Sequence, residues 1–491
     1  MLNILQGALV SKIDKLFVEE AGISSWDLME RACQSFVNWF KENYHPESRR
    51  VLCFCGPGNN GGDALGIARK LADSGYDVVC VVFEDLEKCS YDYQLNFRKL
   101  PDFVKVWDFN ELTWEVQNSD ILIDGVFGVG ISRPLEGKYL LAVEWMNRQV
   151  CTKIAIDIPS GLPSDSLLVG LAYKADVTVC FQFPKFSLLL PEHAAYSGKL
   201  VLADIGIPDE LLSGFSQGKY FVRSNDIPCL HKKFNAFSHK GNYGRVLIIG
   251  GSKGKVGAVV LCSRGALRTG SGLVHAFVEE GERSIIQNSA AEVMCADQEE
   301  VKHLDKFDAV AIGPGWGTHH LPLTFEGFLK SYAKPMVIDA DALNMLALYP
   351  ELLRHLPKGS ILTPHLGEFD RLAGKSANHI ERLQKALSLA KEHGVYVVLK
   401  GAFTSVNCPD GTQYFNSTGS AYMATAGAGD VLTGIICSYL GQGYPPLHAA
   451  ICGVFHHGMA GELASKDKRR GTIAGDIVEA IPATYVQLDI K

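Results

Sequence analysis

The sequence predicts an α/β protein with more than one domain. The chain has 491 residues, which is more than a single hydrophobic core usually holds. Short apolar segments alternate with helical patterns along the chain, and glycine-rich loops follow several of these segments. With 49 glycines, 47% hydrophobic residues and 21% charged residues, the composition is typical of a folded protein and not of a disordered one.

The first domain is predicted over residues 1–212. Helical patterns cover 26–40 and 64–72, and the second of these carries an apolar stripe of small and branched side chains. Strands are predicted at 51–55, 78–83, 121–123, 153–156, 177–181 and 200–203. Because these strands are almost continuously apolar, we expect a parallel sheet covered on both faces, which is a Rossmann-like, doubly wound domain.

A polar segment that contains glycine and serine predicts a linker at 213–224. A second α/β domain is predicted from 225 to 491, with helices at 257–269 and 380–393. Its predicted strands are 246–249, 273–278, 309–312, 336–338, 361–362 and 396–399. The two domains do not resemble repeats of one another.

Charge and cysteine content narrow the class of protein. The net charge of −7 gives no basic excess, so we expect no nucleic-acid partner. The 13 cysteines are scattered, mostly within apolar segments, which favours reduced thiols and a cytoplasmic location. The sequence lacks a signal-peptide pattern at Met1 and an apolar segment of membrane-spanning length, so we expect no membrane partner.

In the first domain, polar side chains follow three predicted strands. A glycine-rich loop occupies 56–63, Asp124 follows the strand at 121–123, and Asp157 and Ser160 follow the strand at 153–156. Since the carboxyl ends of parallel strands meet at one edge, Asn60, Asp124 and Ser160 are placed to bind a cation. One carboxylate among neutral oxygens favours a monovalent ion over Mg²⁺. The alternatives are a plain turn at 56–63 and a helix cap at Asp124.

In the second domain, the glycine-rich loop at 424–430 precedes an apolar helix predicted at 431–440. Small residues at a helix start let backbone N–H groups converge on an anion. A carboxylate such as Asp430 repels an anion, but it suits a base that takes a proton from a hydroxyl during phosphoryl transfer. Further loops at 250–257, 313–317, 363–368 and 400–404 follow strands, and the first of them does not match a Walker A motif.

Residues 56–63, 124–134 and 157–161 resemble the NAD(P)H-hydrate epimerase domain, and the resemblance covers nearly all of 1–212. It implies K⁺ at Asn60, Asp124 and Ser160, with Asp157 near the reacting ring as the hypothesised acid–base group. It further implies that the hydrated dinucleotide contacts Asn59, Asn60, Gly61, Gly62, Asp63, Gly128, Val129, Gly130, Ile131, Ser132, Arg133, Pro134 and Asp157. The chain departs from the family at Ala64, where glycine is common.

Residues 313–317, 363–368, 400–404 and 416–432 resemble the ribokinase-like ADP/ATP-dependent NAD(P)H-hydrate dehydratase domain. The resemblance implies that the hydrated nucleotide contacts Ala258, Gly315, His365 and Asp430. It implies that ADP, with Mg²⁺ on its phosphates, contacts Lys400, Gly401, Ala402, Phe403, Thr404, Ala426, Gly427, Ala428 and Gly429. The family usually has serine at Ala428, but a backbone donor does not require that hydroxyl.

Together the two resemblances predict an enzyme that epimerises the R and S hydrates of NADH and NADPH (NADHX and NADPHX) and dehydrates the S form at the expense of ADP. We expect small-molecule substrates and a homo-oligomer of four or more subunits. One alternative is a sugar or vitamin kinase with a non-catalytic N-terminal binding or oligomerisation domain. Another alternative is that the N-terminal half serves in dimerisation or RNA association. The excess of acidic residues and the presence of Asn60, Asp124, Asp157 and Ser160 disfavour it.

Overall fold

A computed structural model describes residues 1–46, 49–111, 115–131, 133–318 and 322–490. The chain divides into an N-terminal unit, Leu2–Gln217, and a C-terminal unit, Gly218–Lys491 with Met1. The division falls inside the segment 213–224 that the sequence predicts as a linker. Within that segment, residues 219–222 form a strand of the C-terminal sheet.

The strands of the N-terminal unit are β1 (Leu2–Asn3), β2 (Arg50–Cys55), β3 (Asp77–Val82), β4 (Lys105–Asp108), β5 (Ile121–Gly125), β6 (Thr152–Ile156), β7 (Val177–Phe181) and β8 (Lys199–Ala203). Its helices are α1 (Gly7–Ala21), α2 (Ser25–Asn43), α3 (Asn59–Asp73), α4 (Tyr91–Arg98), α5 (Gly137–Arg148), α6 (Ala194–Ser197) and α7 (Asp209–Ser213). Seven strands form one sheet in the order β4-β3-β2-β5-β6-β7-β8, and every pair in it is parallel.

The doubly wound sheet predicted from the apolar strands is confirmed. Alternate residues of a strand point to opposite faces, so β2 can bury both of its faces. Leu52 and Phe54 pack in one core cluster with Val143 and Met146 of α5. Helix α3 packs against β2, β3 and β5. This arrangement brings the ends of β2, β5, β6 and β7 to one edge.

The strands of the C-terminal unit are β9 (Lys219–Val222), β10 (Arg245–Ile249), β11 (Leu273–Phe277), β12 (Met294–Cys295), β13 (Ala309–Ile312), β14 (Met336–Ile338), β15 (Ile361–Leu362), β16 (Tyr396–Leu399), β17 (Ser405–Asn407) and β18 (Gln413–Asn416). Its helices are α8 (Val256–Arg268), α9 (Arg283–Ser289), α10 (Gln298–Val301), α11 (Pro322–Ser331), α12 (Ala340–Leu348), α13 (Leu366–Ala373), α14 (His379–His393), α15 (Ala428–Gly441), α16 (Pro446–Lys468) and α17 (Ala474–Gln487).

These strands lie in the order β9-β18-β17-β16-β15-β14-β13-β10-β11-β12. The strands from β10 to β16 are parallel to one another, as is β9 to β18, whereas β17 pairs antiparallel with β16 and with β18. The α/β architecture predicted for this half is confirmed. The hairpin of β17 and β18 and the short strands β9 and β12 were not among the predicted strands.

Helix α15 is buried around its whole circumference, because every residue from Val431 to Gly441 is buried. It packs most extensively on α8, and glycines permit the close approach of the two helices. A Cβ atom added at Gly434 would lie 1.9 Å from the carbonyl oxygen of Cys262. The core of this unit therefore fixes the position of the helix on which Asp430 lies.

None of the helices in the described part of the chain combines the length and apolarity needed to cross a bilayer. All thirteen cysteines are free thiols. Ten of them are buried, and Cys229 is exposed.

We expect Gly434→Ala to lower the free energy of unfolding of the C-terminal unit by about 1–3 kcal/mol, because the new methyl group must displace the α8 backbone. Thermal or urea unfolding of the variant measures this change. Gly327→Ala is the matched control, since a Cβ atom there meets nothing within 4 Å on an exposed helix and should be neutral or stabilising. Equal loss of stability in both variants would contradict the close packing of α8 and α15.

Candidate active sites

The first candidate site lies at the edge of the N-terminal sheet where β2 and β5 end. The loop after β2 turns directly into α3 at Asn59. A Cβ atom added at Gly56 would lie 1.9 Å from the carbonyl oxygen of Val126. A Cβ atom added at Gly61 would lie 1.6 Å from the carbonyl oxygen of Gly56. The Nδ2 atom of Asn60 donates to the carbonyl oxygen of Phe127 over 3.0 Å. The loop at 56–63 is therefore packed against the loop that follows β5, and is more than a plain turn.

The side chains of Asp124 and Ser160 are hydrogen-bonded to each other at this edge, and Asn60 is hydrogen-bonded to Phe127 in the loop after β5. The Oγ atom of Ser160 donates to Asp124 Oδ1 over 2.6 Å, and its backbone N–H donates to Oδ2 over 2.7 Å. The Oγ atom also lies 3.2 Å from the carbonyl oxygen of Phe127, to which Asn60 is bonded. Asp124 binds the backbone of Val126 and Ser160, neither of which starts a helix, so the helix-cap alternative is not the arrangement observed.

Asp124 is fully buried, and burial raises the pKa of its carboxyl group to about 6 although hydrogen bonds from Ser160 and Val126 oppose the shift. A buried carboxylate with few compensating charges is stabilised by a cation bound to it. The oxygens of Asp124, Ser160, Asn60 and Phe127 form a donor set of one charge and three neutral groups. This set fits a weakly charged ion such as K⁺.

The substrate-contact residues implied by the family resemblance occupy the two loops unevenly. Asn59 is exposed, whereas Gly61 and Gly62 are buried and Asp63 is half-buried. Of the second loop, Gly128, Val129 and Ile131 are half-buried, and Gly130, Arg133 and Pro134 are exposed. Ser132 lies outside the described residues. The methyl group of Ala64, at the family departure, is buried against Gly125.

Asp157 follows β6 in a left-handed backbone conformation, with φ of 62°. This conformation is unfavourable for a residue other than glycine and is often found at functional sites. Oδ1 of Asp157 accepts from the backbone N–H of Phe181 over 3.0 Å and forms an ion pair with Lys185. Lys185 was not predicted as a site residue. A lysine inside the apolar segment that follows β7 was the signal in the sequence.

Two further carboxyl groups face this ion pair. Burial, followed by the charges of Asp157, Asp14 and Asp92, raises the pKa of Asp63 on α3 well above its ordinary value. Burial also raises the pKa of Asp14 on α1 to about 6; Lys185 opposes this shift and Asp157 adds to it. Asp63 was predicted as a site residue from the sequence. Asp14 was not, because α1 is far from the other site residues along the chain.

The second candidate site lies at the start of α15. Gly427 caps the helix with φ of 87°, and an added Cβ atom there would lie 2.3 Å from Leu261. The first N–H groups of a helix have no intrahelical acceptor, so those of Gly429 and Asp430 point out of the helix start, whereas the N–H of Ala428 donates to the carbonyl oxygen of Thr425 over 3.4 Å. Burial and then Asp339 raise the pKa of Asp430 to about 7, Lys400 opposes this, and Asp341 and Glu368 add to it.

Lys400 is held at the end of β16 and is not a lysine of an exposed turn. Its Nζ atom lies 3.0 Å from Oδ1 of Asp339 and 3.9 Å from Oε2 of Glu368. A Cβ atom added at Gly429 would lie 3.3 Å from Nζ. Thr433 Oγ1 donates to Oδ2 of Asp339 over 2.6 Å. Asp339 thus connects the lysine to the helix of Asp430.

Asp339, Asp341 and Thr433 were missed by the sequence analysis. The two aspartates follow the predicted strand at 336–338 directly, which was an available signal. Asp341 Oδ2 accepts from the backbone N–H of Gly317 over 2.7 Å and lies 3.6 Å from Nζ of Lys255. Thr433 lies inside an apolar helix, where a hydroxyl group alone indicates little.

His365 caps α13, and its side chain remains 56% exposed. Nδ1 accepts from the backbone N–H of Gly367 over 3.0 Å, and the backbone N–H of His365 donates to Oε2 of Glu368 over 2.8 Å. The capping fixes the ring and leaves Nε2 accessible, 3.5 Å from Glu368 Oε1. His365 also forms a parallel bridge with Lys400, so the ends of β15 and β16 carry neighbouring functional groups.

The remaining predicted residues line loops at the same end of the strands. An added Cβ atom at Gly315, where φ is 58°, would lie 3.2 Å from Cβ of Ala258, so these two residues adjoin. Thr404 Oγ1 donates to the carbonyl oxygen of Gly401 over 2.9 Å and closes the turn between β16 and β17. Gly401, Ala402 and Ala426 are exposed, and Phe403, Gly427 and Gly429 are half-buried.

Two family models match the chain. One is described as NAD(P)H-hydrate dehydratase and matches residues 246–483. The other is described as YjeF-related protein N-terminus and matches residues 25–187. Each match falls within one of the two structural units.

Curated relatives match the chain over both units. The bifunctional NAD(P)H-hydrate repair enzyme Nnr of Moorella thermoacetica is 34% identical, and the match covers 99% of this chain and 97% of the relative. The protein of the same name from Thermofilum pendens is 35% identical, with coverage of 95% and 93%. The Escherichia coli protein of that name is 31% identical, with coverage of 94% and 89%.

Among solved structures, the ADP/ATP-dependent NAD(P)H-hydrate dehydratase of Bacillus subtilis, co-crystallised with ATP and Mg²⁺, matches with a TM-score of 0.50 and 29% identity. The match covers 56% of this chain and all of that protein. A kinase with a non-catalytic N-terminal domain is not favoured, since the named relatives extend across both units. The chain belongs to the family of bifunctional NAD(P)H-hydrate repair enzymes, with an epimerase domain followed by a dehydratase domain.

Proposed function

We propose that this enzyme interconverts the R and S hydrates of NADH and NADPH in its N-terminal unit and uses ADP to dehydrate the S form in its C-terminal unit. The observation that carries the proposal is the position of Asp430 in the first turn of α15, where a carboxyl group of raised pKa adjoins an anion-binding helix start and Lys400.

Dehydration proceeds by phosphorylation because hydroxide is a poor leaving group and phosphate is a good one. Asp430 takes the proton of the ring hydroxyl as its oxygen attacks the terminal phosphorus of ADP, and AMP departs with the electrons of the broken bond. The N–H groups of Ala428, Gly429 and Asp430 stabilise the charge on the transferring group. The ring nitrogen then expels phosphate, and loss of a proton from the adjacent ring carbon restores the reduced nicotinamide.

The ligands of the C-terminal unit divide between two groups of residues. The half-buried ammonium of Lys400 beside Gly429 supports a phosphate position at that point. We assign ADP to Lys400, Gly401, Ala402, Phe403, Thr404, Ala426, Gly427, Ala428 and Gly429. We assign the hydrated nucleotide to Ala258, Gly315, His365 and Asp430. Mg²⁺ neutralises phosphate charge when bound with the nucleotide, in keeping with the ligands of the Bacillus subtilis relative.

Epimerisation requires an acid and a base, and the N-terminal unit supplies both. Burial and neighbouring carboxylates raise the pKa of Asp63, which suits it to act as the acid, and Asp157, paired with Lys185, acts as the base. If the ring opens, Asp157 takes the hydroxyl proton, the C–N bond breaks toward nitrogen, and Asp63 protonates that nitrogen; closure on the other face reverses these steps. If water leaves instead, Asp63 protonates the departing hydroxyl and Asp157 takes a proton from the returning water.

The remaining assignments of the N-terminal unit rest on the oxygen cluster and the two loops beside it. K⁺ at Asn60, Asp124 and Ser160 offsets the charge of the buried carboxylate and of a bound phosphate when present. The hydrated dinucleotide is assigned to residues 59–63 and 128–134, with Ser132 among them from the family resemblance alone. The predicted homo-oligomer of four or more subunits and the cytoplasmic location stay predictions.

Asp430→Asn should lower the rate of dehydration about a thousandfold or more, because the amide cannot accept the hydroxyl proton. The rise in absorbance of reduced nicotinamide on incubating the S hydrate with ADP and Mg²⁺ measures the rate. Epimerisation by the same variant serves as the control and should stay at the wild-type level. Dehydration at a near-normal rate would rule out Asp430 as the base.

Dehydration should also depend on pH near neutrality. With a pKa of about 7, Asp430 is increasingly protonated as the pH falls, so kcat/KM should decline below pH 7, by about tenfold per pH unit well below it, and level off above pH 8. Initial rates between pH 5.5 and 9 test this, with protein stability checked at each pH. A profile that is flat from pH 6 to 8 would contradict the assignment.

Asp157→Asn should reduce epimerisation at least about a hundredfold, since the variant lacks the carboxylate that accepts a proton. Chromatographic separation of the two hydrates measures their interconversion, and dehydration of the S form reports on the integrity of the chain. Interconversion at the wild-type rate would exclude Asp157 as the base.

A further inference from the structure

Lys185 is a charged side chain inside the core of the N-terminal unit, with only 1% of its surface exposed. Its Nζ atom donates to the carbonyl oxygen of Phe181 over 3.2 Å and lies 4.9 Å from the ring centre of Phe183. Burial lowers the pKa of Lys185, but the charges and hydrogen bonds of Asp157 and Cys180 together outweigh burial and keep the pKa above its ordinary value. The ammonium group therefore stays charged in a site that would otherwise exclude it.

Among the described residues, the hydrogen bonds to the side chain of Asp157 converge on one carboxylate oxygen. Oδ1 accepts the ammonium of Lys185, the backbone N–H of Phe181 at 3.0 Å and the thiol of Cys180 at 3.7 Å. The side chain keeps 12% of its surface exposed. Because three donors converge on Oδ1, Oδ2 is the oxygen that remains to face a ligand.

The backbone supports the same orientation. Asp157 has φ of 62°, and a tight turn joins the N–H of Ile158 to the carbonyl oxygen of Ile156 over 2.7 Å. A left-handed backbone is unfavourable for a residue other than glycine, and such strain persists where surrounding contacts hold it. The ion pair with Lys185 is one such contact, and it directs the side chain toward the end of β7.

We infer that Lys185 is a positioning residue of the epimerase: its ammonium binds Oδ1 of Asp157, fixes the orientation of that carboxylate, and leaves Oδ2 directed at the nicotinamide ring. This inference rests on the role proposed for Asp157. In the described part of the chain, the other titratable groups that face this ion pair are Asp14 on α1, Asp63 on α3 and Cys180 on β7. None of them is a cation, so Lys185 supplies the positive charge that offsets the carboxylate of Asp157.

The test uses full-length Lys185→Met, which keeps the length of the side chain and removes its charge, and Lys185→Arg, which keeps the charge. Lys70→Met is the matched control, because Lys70 also forms an ion pair in this unit, 2.8 Å from Glu30. For each protein, kcat and KM for interconversion of the hydrates are measured from pH 5.5 to 9. Dehydration of the S hydrate and thermal unfolding are measured in parallel.

We expect Lys185→Met to lower kcat about a hundredfold at pH 6.5, with KM changed less than about threefold, because a misdirected base binds substrate but does not react. Lys185→Arg should restore kcat to within about tenfold of the wild type, because a guanidinium group can also bind Oδ1 of Asp157. Lys70→Met should match the wild type. All variants should dehydrate the S hydrate normally.

Two outcomes would overturn the inference. One is interconversion by Lys185→Met within about twofold of the wild type at every pH. The other is a loss of kcat in Lys185→Met that Lys185→Arg does not restore and that accompanies a lowered unfolding temperature. If Lys185→Met does not fold, Lys185→Arg decides, because a loss of kcat of about a hundredfold in a folded protein that keeps the charge contradicts the role. Asp157→Asn separates the two proposals. If Asp157→Asn interconverts the hydrates at the wild-type rate, Asp157 is not the base. If Asp157→Asn loses interconversion but Lys185→Met keeps it, only the positioning role of Lys185 is refuted.

Discussion

A buried aspartate that directly follows a parallel strand, held by a lysine from another strand end, recurs in both units. Asp157 after β6 pairs with Lys185 beyond β7, and Asp339 after β14 pairs with Lys400 after β16. An unpaired carboxylate in such a position would be neutralised or would destabilise the fold by several kcal/mol. The pairing lets negative charge exist inside the protein, and each active site is arranged around a charge of this kind.

The two pairs serve different ends. In the N-terminal unit, the paired aspartate is itself the proposed base. In the C-terminal unit, the paired Asp339 is fully occupied by Lys400 and Thr433, and the proposed base is its neighbour Asp430. The negative charge of Asp339 contributes to the raised pKa of Asp430, so a structural ion pair adjusts the proton affinity of the residue beside it.

Much of the fold could be predicted because apolar strands and glycine loops are local patterns. Strands β10, β11 and β13 to β16, and the start of α15 at the 424–430 loop, follow from such patterns. Strand β9 was assigned to a polar linker because glycine, serine and polar residues flank its four residues, and its pairing with β18 joins Lys219 to the distant Gln413. Local patterns do not encode that pairing.

The candidate sites show the same division. Asp124 stands beside a glycine at the end of β5, Asp157 directly follows β6, and Asp430 ends a glycine-rich loop, so the sequence alone indicates chemistry at these three positions. Lys185 and Asp14 carry no local pattern and acquire a role only where α1 and the end of β7 approach Asp157. Asp339 was visible after a predicted strand, but a partner 61 residues away gives it its function.

The two units, each with its own sheet, are parts of one polypeptide. Translation therefore delivers one epimerase for every dehydratase, whatever the level of expression. A dehydratase that accepts one stereoisomer leaves the other to accumulate unless isomerisation keeps pace. Fusion sets that stoichiometry genetically, so flux through the repair sequence is balanced by the relative turnover of the two sites and not by the regulation of two genes.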